Sequence, residues 1–258
     1  MASFYHSTGI VLSRKDHREA DRWYSVFTRE HGKIELLARG GHKILAKLTP
    51  HLEMPAIIDL HVVNGRQFDT IAGTDRLRAF PSTYADISKL VLAQNALHLT
   101  DIGTKPHEQD LVLYDLLMQW LEMVENAPAI TNERAGFLLG SYALKLLSVI
   151  GYRPELSRCL SCKLAIEAGA YRWQALKGGV VCRSCAERNQ EQWFASRALS
   201  DEALKLIRYS LSEPFESQLR PRLVGEQLSE FHEAVESLMV SHFPVIPANS
   251  LRASCAFF

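Results

Sequence analysis

Trp23-Tyr-Ser-Val-Phe-Thr28 and Lys33-Ile-Glu-Leu-Leu-Ala38, separated by a turn that contains His31-Gly32, decide how the N-terminal part of this chain reads. Both are short, rich in β-branched and aromatic residues, and bounded by polar or glycine-containing segments, the signature of strands. Gly9-Ile-Val-Leu-Ser13 before them and residues 56–63 and 67–72 after them repeat the pattern. Asn64-Gly65, between the last two, predicts a tight hairpin turn. Five short strands packed so closely point to a small barrel or sandwich and away from a parallel sheet.

After Pro81 the apolar residues recur at helical spacing. Helices are predicted over 82–101 with Ser82 as N-cap, then over 111–124, 132–150, 200–212 and 223–242. Their apolar stripes read as core. The chain therefore divides into a barrel at 1–80, a helical domain in two parts at 81–150 and 191–258, and an insert of different composition at 151–190. With 258 residues, 47% of them hydrophobic and 22% charged, the chain is no disordered tract, and its length fits two domains or one with an insert. Residues 1–13 lack the apolar run of a signal peptide, and the apolar stretch 137–150 is interrupted by Lys145. The expectation is a protein of the reducing cytoplasm, with no membrane partner.

In that compartment cysteines are thiols or metal ligands more often than disulfides. Four of the five form two pairs, Cys159-Leu-Ser-Cys162 and Cys182-Arg-Ser-Cys185, with residues 163–181 between them. Each pair can present two thiolates from a tight turn, and two such knuckles close a tetrahedral four-sulfur site. Zinc is favoured because it is redox-inert and accepts four thiolates, although iron would take the same ligands. Four unliganded thiols or two disulfides are the alternatives. Residues 171–173 and 178–181 read as a hairpin that brings the knuckles together. No His or Asp lies in or beside them, so the metal reads as structural. Cys255 has no partner in sequence.

No phosphate-binding loop, dinucleotide fingerprint, nucleophile elbow or His-Glu-x-x-His is present, so the chain reads as a non-enzyme. Its 29 basic and 29 acidic residues balance, but the first fifty residues carry nine Lys/Arg against five Asp/Glu. That excess is either a solvated mixed surface or a phosphate-binding face. Arg14, Lys15 and Arg18 follow the first strand, and Arg39 and Lys43 flank Gly40-Gly41 after the third. Two basic loops beside Tyr24, Phe27 or Phe68 match a nucleic-acid groove, although some aromatics of 23–27 must be core.

Gly9-Ile-Val-Leu-Ser-Arg-Lys-Asp-His-Arg-Glu-Ala-Asp21, Thr28-Arg-Glu-His-Gly-Lys33, Ala38-Arg-Gly-Gly41 and Gly151-Tyr-Arg-Pro-Glu-Leu-Ser-Arg-Cys159-Leu-Ser-Cys162 together resemble the RecO family of bacterial DNA-repair and recombination-mediator proteins. Lys163 stands where similar sequences often have glycine. The resemblance implies an α+β chain: an N-terminal five-stranded oligonucleotide/oligosaccharide-binding (OB) barrel followed by an α-helical domain with an inserted zinc module. It implies Cys159, Cys162, Cys182 and Cys185 as ligands of a structural Zn2+. It further implies binding of single- and double-stranded DNA, strand annealing, and cooperation with RecR in loading RecA onto DNA covered by single-stranded-DNA-binding protein. The acidic C-terminal tail of that last protein would dock in an apolar, basic-rimmed groove of the helical domain, and the protein would work in the bacterial cytoplasm at the nucleoid. A protein scaffold that binds no DNA is the reading from another class.

Overall fold

The computed structural model of the chain describes residues 4–17, 21–39, 49–223 and 225–243. Contacts group the chain into two compact units, Met1–Asn126 and Ala127–Phe258.

In the first unit, β1 (Phe4–His17), β2 (Asp21–Thr28), β3 (Gly32–Ala38), β4 (Ala56–Val63) and β5 (Asp69–Ala79) form a closed barrel in the order β1-β2-β3-β5-β4. The ladders are antiparallel except β3–β5, where a short parallel pairing of Leu36 with Asp69 and Leu37 with Thr70 completes the ring. Alternation sends Val11, Tyr24, Val26, Leu36, Ile58 and Leu60 inward, all 1% exposed or less. Closure removes the free edges that an open sheet would expose.

Two strands are longer than composition suggests. β1 continues through Arg14, Lys15 and Asp16, because its first half pairs with β4 and its second with β2 across a bulge between Val11 and Ser13. β5 starts at Asp69 and runs on to Ala79. The connection from β4 to β5 is therefore the five-residue loop 64–68 and not a two-residue turn. Asp69 clamps it, its carboxylate accepting from the Gly65 N–H (3.3 Å) and the Tyr5 hydroxyl (3.0 Å). A Cβ at Gly65 would lie 2.0 Å from the Phe68 carbonyl oxygen, so only glycine closes this loop.

The predicted helix at 82–101 is two helices, α1 (Pro81–Ala85) and α2 (Ile87–Gly103). Asp86 is extended and caps α2 by accepting from the N–H groups of Ser88 and Lys89, so Ser82 is not the cap. The N–H of Ser82 instead donates to Glu125 of α3 (Leu111–Asn126), which also accepts from Thr83. The turn after β2 is held against the α2–α3 connection. Gly32 has φ +66°, and a Cβ there would lie 2.1 Å from the Glu108 carbonyl oxygen. The His107 N–H donates to the Lys33 carbonyl at 2.8 Å.

In the second unit α4 (Asn132–Val149), capped by Thr131, packs with α6 (Asp201–Ser212) and α7 (Gly225–His242). Twelve of its residues are buried, so α4 is a central helix and not a two-sided one. Its Ser141 hydroxyl meets that of Ser210 at 2.8 Å. Ser200 caps α6. The cysteine segment folds as the hairpin β6 (Tyr171–Gln174) and β7 (Gly179–Cys182), then a short helix α5 (Arg183–Arg188) that composition did not reveal. Trp173 ties this hairpin to α7 by donating its indole N–H to Ser237 at 3.1 Å. The architecture is α+β, an OB-type barrel followed by helices that carry an inserted four-cysteine module. Among the described residues no helix is long and apolar enough to cross a membrane.

Candidate nucleic-acid interface and metal centre

Arg14 and Lys15 are exposed, but they sit on β1 and not in a loop. Lys15 is directly opposite Trp23, Trp23 is opposite Leu37, and Leu37 is opposite Thr70, so one row crosses β1, β2, β3 and β5 at one end of the barrel. Trp23 is half-buried, with its ring edge-on to Phe68 at 4.9 Å and 83°, and His17 packs at 5.8 Å. Phe68 is 48% exposed. Arg39, at the end of β3, is exposed. Arg18 and Lys43 lie outside the described residues, as do Gly40, Gly41 and Cys255.

Tyr24 and Phe27 are core and offer no stacking face: Tyr24 fills the barrel, and Phe27 packs on Tyr114 of α3 at 5.9 Å. Their sequence neighbour Trp23 is only partly buried, on the opposite face of β2 from Tyr24. Arg66, exposed in the 64–68 loop, is a further cation at this end that composition alone missed. The Asn-Gly pair had a structural explanation that hid it. Arg22 is paired with Asp16 at 2.8 Å. The face of strands 2 and 3 and the loops 1–2 and 4–5 are where this barrel type binds oligonucleotides and oligosaccharides. Trp23, Phe68 and Arg66 are on those elements, and Lys15 sits opposite Trp23. Exposed rings give bases a stacking surface, and unpaired guanidinium and ammonium groups neutralise phosphates.

The second constellation is the sulfur cluster. The Sγ atoms of Cys159, Cys162, Cys182 and Cys185 all lie within 4.8 Å of one another, and Cys162 is 3.9 Å from Cys182. That spacing matches the edge of a tetrahedron with 2.3 Å metal–sulfur arms, about 3.8 Å, and is far beyond a disulfide bond of about 2.05 Å. Cys159 is fully buried and Cys185 nearly so. The Cys159 sulfur accepts from the N–H groups of Ser161 (3.4 Å) and Cys182 (3.3 Å). Burial pushes the Cys159 thiol up, but these donors outweigh it and bring it down to about 6. Cys185 is pushed up to about 11, chiefly by sharing hydrogen with Cys182. Four sulfurs this close cannot all ionise without a cation between them. The donor set fits a thiophilic ion such as zinc, held over a small core of Val181, Ala186 and Trp193.

Comparison with known proteins agrees with this architecture. The profile described as the N-terminal part of recombination protein O matches residues 1–80, and the one described as its C-terminal part matches residues 84–251. A protein named DNA repair protein RecO from Desulfitobacterium hafniense is 28% identical over 219 residues, 84% of this chain and 77% of its own length. Proteins of the same name from Dehalococcoides mccartyi and Rubrobacter xylanophilus are 26% identical over 233 residues and 30% identical over 186. The first alignment covers 90% of this chain and 88% of the relative, the second 71% and 72%. With both parts matched, the chain belongs to the recombination protein O (RecO) family of DNA repair and recombination.

Proposed function

We propose that this protein is a non-enzymatic recombination mediator that binds single- and double-stranded DNA on its barrel and anneals complementary strands. In the same reading it cooperates with RecR to load RecA onto DNA covered by single-stranded-DNA-binding protein, in the cytoplasm at the nucleoid. The observation that carries the DNA-binding part is the Trp23–Phe68 aromatic pair, with Lys15 on the rung opposite Trp23 and Arg66 in the loop that carries Phe68. Arg14, next to Lys15 on β1, and Arg39, just after β3, are also exposed. Arg18 and Lys43 belong to the same proposed contact set from their place in the sequence. Annealing needs no catalytic group: a cationic surface lowers the repulsion between two phosphate backbones, and base pairing does the rest.

The four cysteines would hold a structural Zn2+. When bound, that ion supplies folding free energy to residues 151–190, on the order of 10 kcal/mol in small zinc modules, and no chemistry on a substrate. For the acidic tail of single-stranded-DNA-binding protein, a cleft of about 400 Å3 in the second unit offers the required character. Arg153 and Arg208 rim it, Pro154, Leu156 and Leu211 line it, and Glu155 is the one carboxylate among its lining residues.

The test is fluorescence anisotropy of a labelled single strand and its duplex across a range of salt, with the full chain. The expected result is affinity falling linearly on a log–log salt plot, with a slope near −0.7 per phosphate neutralised on the single strand. Lys15→Glu with Arg66→Glu should shift the binding curve at least tenfold to higher protein concentration. Trp23→Ala with Phe68→Ala should weaken single strands more than duplex. Absence of binding at low salt by folded protein overturns the DNA reading and favours a protein scaffold.

A further inference from the structure

On the outside of the barrel, β4 alternates Ile58 and Leu60 inward with Asp59 and His61 outward. His61 is directly opposite His6 of β1, and their rings are 3.9 Å apart. The His61 Nε2 lies 3.6 Å from an Asp59 carboxylate oxygen, beyond hydrogen-bond range. One ligand atom from each of His6, Asp59 and His61 lies within 4.8 Å of the others. Ligands on 2.1 Å arms around a tetrahedral ion stand about 3.4 Å apart, so small rotations of these solvent-facing side chains complete the geometry.

We propose that His6, Asp59 and His61 form a second metal site, for a first-row divalent cation of borderline softness such as Zn2+ or Ni2+. Two imidazoles with one carboxylate suit such ions and do not suit Mg2+ or Ca2+, which take oxygen sets. The fold pre-arranges the donors. Cross-strand register places the imidazoles side by side, and the two-residue repeat puts Asp59 on their face. On the other flank, β5 presents Gly73 opposite His61 and Asp75 opposite Asp59. Because Gly73 has no side chain, the face beside His61 stays open as a cleft of about 510 Å3, also lined by Phe4, His51 and Thr74. Three protein ligands therefore leave coordination positions for water or an oxyanion. The ion would also neutralise two carboxylates, Asp59 and Asp75, that face each other across the ladder.

The test is calorimetric titration of the full chain, already loaded at its four cysteines, with additional Zn2+, the bound metal being counted after desalting. One further equivalent is expected in the unaltered protein. His61→Ala and His6→Ala should each weaken that equivalent at least tenfold with unchanged circular dichroism, and His51→Ala in the same cleft should leave it alone. Absence of the further equivalent, its persistence in the double variant His6→Ala/His61→Ala, or its loss with His51→Ala alone would each overturn the site.

Discussion

The ammonium group of Lys33 donates to the main-chain carbonyl of Asp101 at 2.6 Å and lies 3.4 Å from its carboxylate, whose two oxygens accept from the hydroxyls of Ser13 (2.7 Å) and Ser25 (2.8 Å). One carboxylate near the end of α2 thus holds three barrel strands. Lys33 is only 9% exposed, so removing the carboxylate leaves a poorly hydrated charge with only the main-chain carbonyl to meet it. Asp101→Ala should destabilise the first unit by about 3 kcal/mol, as measured by urea denaturation. Asp101→Asn, which keeps a hydrogen-bonding group for the serines, should cost less.

Glu125 gives the first unit a signature in acid. Its partial burial pushes its carboxyl up, but the N–H groups of Ser82 and Thr83, the Thr83 hydroxyl and nearby Lys89 outweigh that and hold it below the ordinary value. A carboxylate depressed in the folded state stabilises it fully above the unfolded pKa and loses that contribution as pH falls through the folded value. Glu125→Gln should therefore cost about 1–2 kcal/mol at neutral pH and nothing once pH is well below 4, as read by denaturant titrations at both pH values.

Lys163 has φ +63°, a left-handed conformation at the end of the first cysteine turn. Side chains pay about 1 kcal/mol there, whereas glycine does not. Lys163→Gly should raise the thermal stability of the metal-loaded protein by about that amount and leave the metal stoichiometry unchanged. A lower melting temperature would show that the lysine side chain makes a compensating contact.

Removal of the proposed ion from the four cysteines should act locally. On chelation, or in Cys159→Ser, amide hydrogen exchange should rise across residues 155–193, where the sulfur cluster supports Val181, Ala186 and Trp193. The barrel should keep its protection. Uniform loss of protection in both units would contradict a module-confined role for the metal.

What the sequence revealed followed the range of the interaction. β2 and β3 were readable because their residues are strand formers throughout, and the paired Cys-x-x-Cys spacing is itself local, so the clustering of the four sulfurs was foreseeable. The polar end of β1 was hidden, because Arg14 and Lys15 look like loop residues until β2 pairs with them. Asp86 as a cap was masked by an apolar period that runs on across it. Trp23 and Phe68 meet only once the barrel closes, and nothing in either local segment announces the other. The same holds for His6 and His61, which share a rung because β1 returns alongside β4.

The close approach of Gly32 to Glu108 has a practical consequence for dissecting this protein. The family profiles divide the chain between residues 80 and 84, whereas the α2–α3 connection is seated on the β2–β3 turn and α3 covers Phe27. A recombinant fragment stopped at residue 80 would strip Lys33 of Asp101 and bare an apolar wall of the barrel. Such a piece invites aggregation that would be mistaken for a property of the barrel itself. A truncation placed after Asn126 keeps the first compact unit whole, with the barrel, Asp101 and α3 together.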